Sequence, residues 1–240
     1  MSSISTERVT VPVDDGTDID LYVARPEADS DRHAGVLVLQ EIWGVNSHIR
    51  DVTDRFARMG YTAVAPDMFH RSARNFEAPY SDMAGMAHAK AITPDGARAD
   101  LVAAHAWLRA QVAEGTDTPG LAVVGFCMGG RLAWVANALL PFSCAVSFYG
   151  GGIASAHLDL AAAQRAPVLL LWGGKDKHIK REDRRAVADA LEGAGKPFLE
   201  LNFGNADHGF FCDQRASYDA GAAREAWGLV SAFLTSNVTG

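Results

Sequence analysis

Short apolar runs alternate with amphipathic stretches along the whole chain, the signature of βαβ units built around a mostly parallel sheet. Strands are expected at residues 9–13, 19–24, 35–40, 62–65, 121–126, 144–149, 168–172 and 198–203. The middle runs are nearly continuous in Val and Leu, as suits strands buried on both faces. The first two alternate more and predict an antiparallel edge hairpin turning at residues 14–17.

Helices are expected between the strands. Ile49, Val52, Phe56 and Met59 recur at offsets of three, four and three, which makes one apolar stripe. Asn46 or Ser47 would cap that helix. Thr93-Pro94 opens another, with Thr as N-cap and Pro in the first turn. Its buried face would be Leu101, His105, Leu108 and Val112. Further helices are expected over 128–139, 182–193 and 218–234. Residues 66–81 have no clear periodicity, and a loop that long in a compact domain is usually functional or mobile. The expected fold is therefore α/β: a mostly parallel central sheet of about eight strands with helices on both faces, in one domain over residues 1–240.

Composition narrows the function. The chain has 240 residues, 48% hydrophobic and 21% charged, enough for a sizeable core. Its 22 basic and 29 acidic residues leave a net charge of −7. That argues against nucleic-acid binding, which depends on basic patches. Residues 1–20 carry no basic-then-apolar secretion signal, and no apolar run approaches the ~20 residues that span a bilayer. A cytoplasmic protein without a membrane partner is expected. The three cysteines, Cys127, Cys144 and Cys212, form neither a disulfide framework nor a zinc pattern.

The segment from Leu121 to Gly130 reads as strand, sharp turn and helix, and contains Gly125-Phe126-Cys127-Met128-Gly129. This is the G-x-S-x-G nucleophile elbow with Cys in place of Ser. Side chains two residues either side of the nucleophile would collide with the neighbouring strand and helix, so glycines are needed there. The turn also sets the sulfur at a helix N-terminus, where free N–H groups favour a thiolate and can stabilise an oxyanion. The Met128 N–H is the first oxyanion candidate. A free cysteine is more often buried and inert, which fits Cys144 inside its strand. The spacing of Gly125, Gly129 and Gly130 does not match a dinucleotide-binding loop.

In an elbow fold an acid and then a histidine follow the nucleophile, each after a later strand. Asp176 follows the strand at 168–172, and His208 follows the strand at 198–203. His208 would move the thiol proton to the leaving group, and Asp176 would fix its tautomer. His178 falls two positions late for the acid's place, and Asp207 and Asp213 compete weakly for the acid role. The other oxyanion donor would come from the loop after the strand at 35–40, with the Ile42 N–H as candidate. Glu41 is then a carboxylate near the site, set in a mostly apolar stretch.

These pieces resemble the dienelactone hydrolase (carboxymethylenebutenolidase) family. The matching segments are Gln40-Glu41-Ile42-Trp43-Gly44, Pro66-Asp67-Met68-Phe69, Gly125-Phe126-Cys127-Met128-Gly129-Gly130, Gly174-Lys175-Asp176 and Asp207-His208-Gly209-Phe210. The resemblance implies an α/β-hydrolase with a Cys127–Asp176–His208 triad, no cofactor or metal, and a small-molecule ester or lactone as substrate. It implies that Glu41 holds the resting cysteine neutral, or takes its proton, until substrate arrives. It places the family's carboxylate-binding arginine on Arg71, with Trp43 beside the substrate. Family members that open dienelactones carry a second arginine four residues after the catalytic histidine. This chain has Cys212 there, a candidate pocket residue, and Arg215 is the alternative clamp. One clamp fewer costs a bidentate contact to a substrate carboxylate.

Two other classes compete. A thiol redox sensor would use an exposed reactive cysteine, but it has no need of Asp176 and His208 at strand ends. A non-catalytic binding module on the same scaffold is allowed, because fold does not fix function.

Overall fold

A computed structural model describes residues 3–27, 33–113 and 116–238. The chain forms two compact units, one ending at Leu121 and the other spanning Ala122–Val238.

The first unit opens with the expected hairpin. β1 (Ile4–Pro12) pairs antiparallel with β2 (Asp18–Pro26), and both strands start earlier than the apolar pattern indicates. β1 is mostly exposed, so its first residues alternate too weakly to be read as strand. β3 (Ala34–Leu39) is buried throughout and pairs parallel with β4 (Thr62–Pro66), which in turn pairs antiparallel with β2. Between β3 and β4 runs α1 (Ser47–Arg58), capped by the Asn46 side chain, which accepts the Ile49 N–H at 3.2 Å. Its predicted stripe is buried at Ile49, Val52 and Phe56, and Met59 ends the helix.

Residues 66–81 are not the featureless loop expected. They contain α2 (His70–Ala73) and are followed by α3 (Gly85–Ala91), which the sequence pattern also misses. Tertiary bonds hold this stretch. The Asn75 N–H donates to Asp67 Oδ2 at 2.6 Å, Trp43 Nε1 donates to the Asp82 carbonyl at 2.6 Å, and Asn46 Nδ2 donates to the Tyr80 hydroxyl at 3.0 Å. Two of its aromatic side chains pack on each other, the Phe69 and Phe76 rings meeting edge to face at 5.9 Å, rather than along one face of a helix, so no helical stripe results. α4 (Pro94–Val112) starts where expected, with Thr93 Oγ1 accepting the Gly96 N–H at 3.0 Å, and buries Leu101, His105, Leu108 and Val112.

β5 (Gly120–Phe126) leads into the second unit, where strands lie side by side in the order β5, β6 (Cys144–Phe148), β7 (Val168–Gly173), β8 (Phe198–Phe203), all parallel. β5, β6 and β7 are fully buried, while β8 is largely exposed, with Leu199 and Leu201 open to solvent. α5 (Met128–Leu139) follows β5 after the single residue Cys127. α6 (Ile153–Ala156) and a 3₁₀ turn (Leu158–Ala161) follow β6. α7 (Arg181–Gly193) follows β7. α8 (Ala220–Asn237) begins two residues later than expected, because the Asp219 side chain caps it by accepting the N–H groups of Gly221 and Ala222, each at 3.0 Å. Among the described residues, no helix is long and apolar enough to cross a membrane.

Four parallel strands in one unit bring their carboxyl ends to one edge. Cys127 follows β5 directly, Tyr149 follows β6, Asp176 comes three residues after β7 ends, and His208 comes five after β8 ends. Open α/β sheets hold their ligands at this edge.

Candidate active site

Cys127 has φ 55° and ψ −114°, a conformation that L side chains rarely adopt. A non-glycine residue held this way costs roughly 1–3 kcal/mol, and such strain concentrates at functional sites. The turn is fixed on both sides. The Cys127 N–H donates to the Phe148 carbonyl at 3.0 Å, and the Cys127 carbonyl accepts the Gly130 N–H at 3.0 Å. Gly125 is required by contact, since a β-carbon there would overlap the Gly129 carbonyl oxygen. Gly125→Ala is therefore expected to lower stability by about 1–3 kcal/mol in urea denaturation, as over-packing does. Met128 opens α5, and the first N–H groups of a helix have no partner within it.

His208 and Asp176 are buried together. His208 Nδ1 lies 2.7 Å from Asp176 Oδ2. An ionised carboxylate only accepts, so Nδ1 carries the proton and Nε2 is left for the thiol. The other carboxylate oxygen, Asp176 Oδ1, accepts the N–H groups of His178 at 2.7 Å and Ile179 at 3.1 Å. Burial works against the Asp176 carboxylate, but these bonds and the His208 charge outweigh it and hold its pKa below the ordinary value. Burial likewise pulls the His208 imidazole down. Its hydrogen bonds to Asp176 and to Cys127 more than offset that, and the imidazole is pushed up to about 10. Asp207 acts on the backbone instead, its Oδ1 accepting the main-chain N–H of His208 at 2.7 Å.

Sequence reasoning missed the residues that wall in the imidazole. The Tyr149 ring lies 5.0 Å from the His208 ring, and the Tyr149 backbone is itself strained, with φ 37°. The signal was the glycine run Gly150-Gly151-Gly152 straight after the strand, which marks a tight turn at the same edge. His178 does not replace Asp176, yet its ring meets His208 edge to face at 5.4 Å. Gly209 has φ 79°, and a β-carbon there would overlap the Arg215 guanidinium, which therefore packs onto the residue next to His208. Cys212 is fully buried. Cys144 is buried too, and burial pushes its thiol up to about 12, as befits an inert side chain.

The remaining candidates lie in the first unit. Glu41 is completely buried, and Ile42 and Trp43 nearly so. The Trp43 ring packs against Tyr80 at 4.6 Å. Arg71 is engaged by carboxylates: Nη1 donates to Asp100 Oδ2 at 2.6 Å, and Nε and Nη2 donate to Asp15 Oδ2 at 2.8 and 2.6 Å. Asp100 is buried and also meets His70 Nε2 at 2.9 Å.

An elbow between β5 and α5, an acid after β7 and a histidine after β8 form the α/β-hydrolase arrangement. The sequence profile of the Dienelactone hydrolase family matches residues 19–238. A candidate carboxymethylenebutenolidase of Synechocystis sp. is 34% identical over 236 residues, covering 93% of this chain and 94% of that one. The carboxymethylenebutenolidase of Pseudomonas sp. (strain P51) is 31% identical over 195 residues, covering 80% of this chain and 79% of its own. The crystal structure of a candidate dienelactone hydrolase from Klebsiella pneumoniae superposes with a TM-score of 0.86 at 31% identity, covering 97% of this chain and 99% of that one. The chain belongs to the dienelactone hydrolase family of α/β-hydrolases.

Proposed function

We propose that this chain, acting as one domain, hydrolyses an ester or lactone through an acyl-thioenzyme, with Cys127 as nucleophile, His208 as proton carrier and Asp176 as its orienting acid. The observation that carries the reading is the strained elbow at Cys127, whose thiol is hydrogen-bonded to a buried imidazole already oriented by Asp176. A residue packed only for stability has no reason to hold such a backbone.

With the thiol proton held by His208, the sulfur attacks the substrate carbonyl and an S–C bond forms as the carbonyl π pair moves onto oxygen. The carbonyl oxygen takes up negative charge, and the Met128 N–H stabilises it. When the tetrahedral species collapses, the C–O bond breaks and the His208 imidazolium protonates the leaving alkoxide. Water then attacks the thioester and gives its proton to His208. The acid is released and the sulfur returns to its starting state. Ile42 as second oxyanion donor and Glu41 as keeper of the resting thiol enter this scheme through the family resemblance.

A substrate carboxylate, where there is one, is assigned to Arg71 or Arg215, the two arginines that the family resemblance offers. Arg215 packs onto Gly209 beside His208, and Arg71 donates three N–H groups to Asp15 and Asp100. A redox-sensor role has less support, because Cys144 and Cys212 are both buried and neither offers an exposed resolving thiol.

The test is a hydrolysis panel that sets a carboxylated dienelactone beside neutral aryl esters, with mass spectrometry of quenched enzyme. The expected result is turnover together with an acyl adduct on the peptide carrying Cys127. Turnover with no adduct on that peptide under single-turnover quenching, and full activity after Cys127 is alkylated, would overturn the reading.

A further inference from the structure

β8 is the last strand of its sheet. It pairs with β7 in unbroken parallel register from Phe198 to Phe203, and no strand lies on its other side among the described residues. The carbonyls of Pro197 and Phe203 accept the N–H groups of Val168 and Gly174, at 3.2 and 2.8 Å, so the odd-numbered positions bond inward to β7. Backbone groups alternate in direction along a strand, so those of Phe198, Glu200 and Asn202 point outward from the sheet. Native edge strands are commonly blunted by lysine, proline, a bulge or a covering helix. β8 has none of these. It carries a single charge, Glu200, and α8 packs on β6 and β7 while Leu199 and Leu201 stay 51% and 38% exposed.

The two faces of β8 differ. Leu199, Leu201 and Phe203 form an apolar row on one. Glu200 and Asn202 lie on the other, in a groove lined also by Arg181, Arg184 and Arg185 of α7. Arg184 Nη1 donates to Asn202 Oδ1 at 2.6 Å and to the Gly173 carbonyl at 2.8 Å. Its Nε and Nη2 make no hydrogen bond among the described residues.

Such a strand is complementary to itself. A two-fold axis at Leu201 sets Glu200 opposite the partner's Asn202, and each such pair exchanges both main-chain bonds through the outward groups. On the apolar face Leu201 meets the partner's Leu201, flanked by two contacts between Leu199 and the partner's Phe203. On the other face each Glu200 carboxylate arrives beside the partner's Asn202, within reach of the partner's Arg184. An axis at Glu200 instead would oppose two glutamates, which is destabilising. Charge therefore selects the register, and a contact of this symmetry closes after two copies.

Independently of the hydrolase reading, we infer that β8 is a homodimer edge: two copies of this chain join their β8 strands antiparallel about Leu201, with Glu200 of each meeting Arg184 of the other.

Three measurements on the full chain test this. In sedimentation equilibrium the wild type is expected to reach the mass of two chains as concentration rises. A one-chain mass at about 1 mM, where an interface of that dissociation constant would be half formed, overturns the inference. Leu201→Lys places like charges on the axis and is expected to weaken the dimer at least tenfold. A dimer indifferent to that change is not built on this edge, and the inference fails.

The second measurement reads the register. Opposed positions outside the main-chain bonds stand about 4.5 Å apart at Cα, within disulfide range. Leu201→Cys, made in Cys127→Ala, is expected to link two chains on mild oxidation, whereas Leu199→Cys, which faces Phe203, is not. Linking at 199 as fast as at 201 overturns the pairing. The third exchanges charges. Glu200→Arg and Arg184→Glu are each expected to weaken the dimer at least tenfold, and the double variant to recover it. No recovery, with all three variants folded by circular dichroism, counts against the inference.

Discussion

Cys127→Ala is expected to lose turnover by about 10⁶-fold while the protein remains folded. Removing a nucleophile takes away the acyl-enzyme route altogether, and what survives comes from binding and oxyanion stabilisation. The companion measurement is stability. Cys127 sits at φ 55° and ψ −114°, so its β-carbon carries the backbone strain whatever the side chain ends in. Alanine inherits that strain; glycine does not. Cys127→Gly is therefore expected to be inactive yet about 1 kcal/mol more stable than wild type in urea denaturation. A cysteine kept for packing predicts the reverse, a clear loss of stability in both variants with activity retained.

How legible these features were depended on how local their causes are. The elbow could be read from sequence because its requirement is local. A side chain at 125 meets the Gly129 carbonyl four residues away, so the constraint shows up as glycines at fixed spacing. Asp176 and His208 were found from their order behind later strands, and β7 and β8 fall at or within a residue of the expected bounds. What escaped was set by contacts distant along the chain. α2 and α3 are short helices of four and seven residues in a stretch held by bonds such as that from Trp43 Nε1 to the Asp82 carbonyl, so no period announces them. Tyr149 and His178 owe their place to strands and loops converging at one sheet edge, and nothing in their own neighbourhoods says which ring they will touch. Arg71 was matched to a substrate-binding position by its place after Pro66-Asp67, but motif position carries no information about Asp15 and Asp100, which come from a hairpin turn and a helix.

Asp176→Asn is expected to reduce kcat by about 10⁴-fold, and it separates orientation from charge. In the wild type the carboxylate can only accept, so it holds the proton on His208 Nδ1 and leaves Nε2 facing the thiol. An asparagine amide can donate to Nδ1 instead, which holds the ring neutral with its proton on Nε2 and removes the imidazolium that protonates the leaving group. The charge effect has a definite sign. Hydrogen bonds to Asp176 and Cys127 raise the imidazole to about 10, against burial that pulls it down. The imidazolium is the acid that protonates the leaving group, so wild-type kcat/KM is expected to hold through neutral pH and fall as pH rises through about 10. Without the carboxylate the imidazolium loses its main support, and the residual activity of Asp176→Asn should begin to fall at lower pH. Asp176→Glu, which keeps the charge but displaces the oxygen, should lose rate while keeping the alkaline limb close to that of the wild type. A limb that stays near pH 10 in the asparagine variant would mean that Asp176 is not what holds the proton on His208.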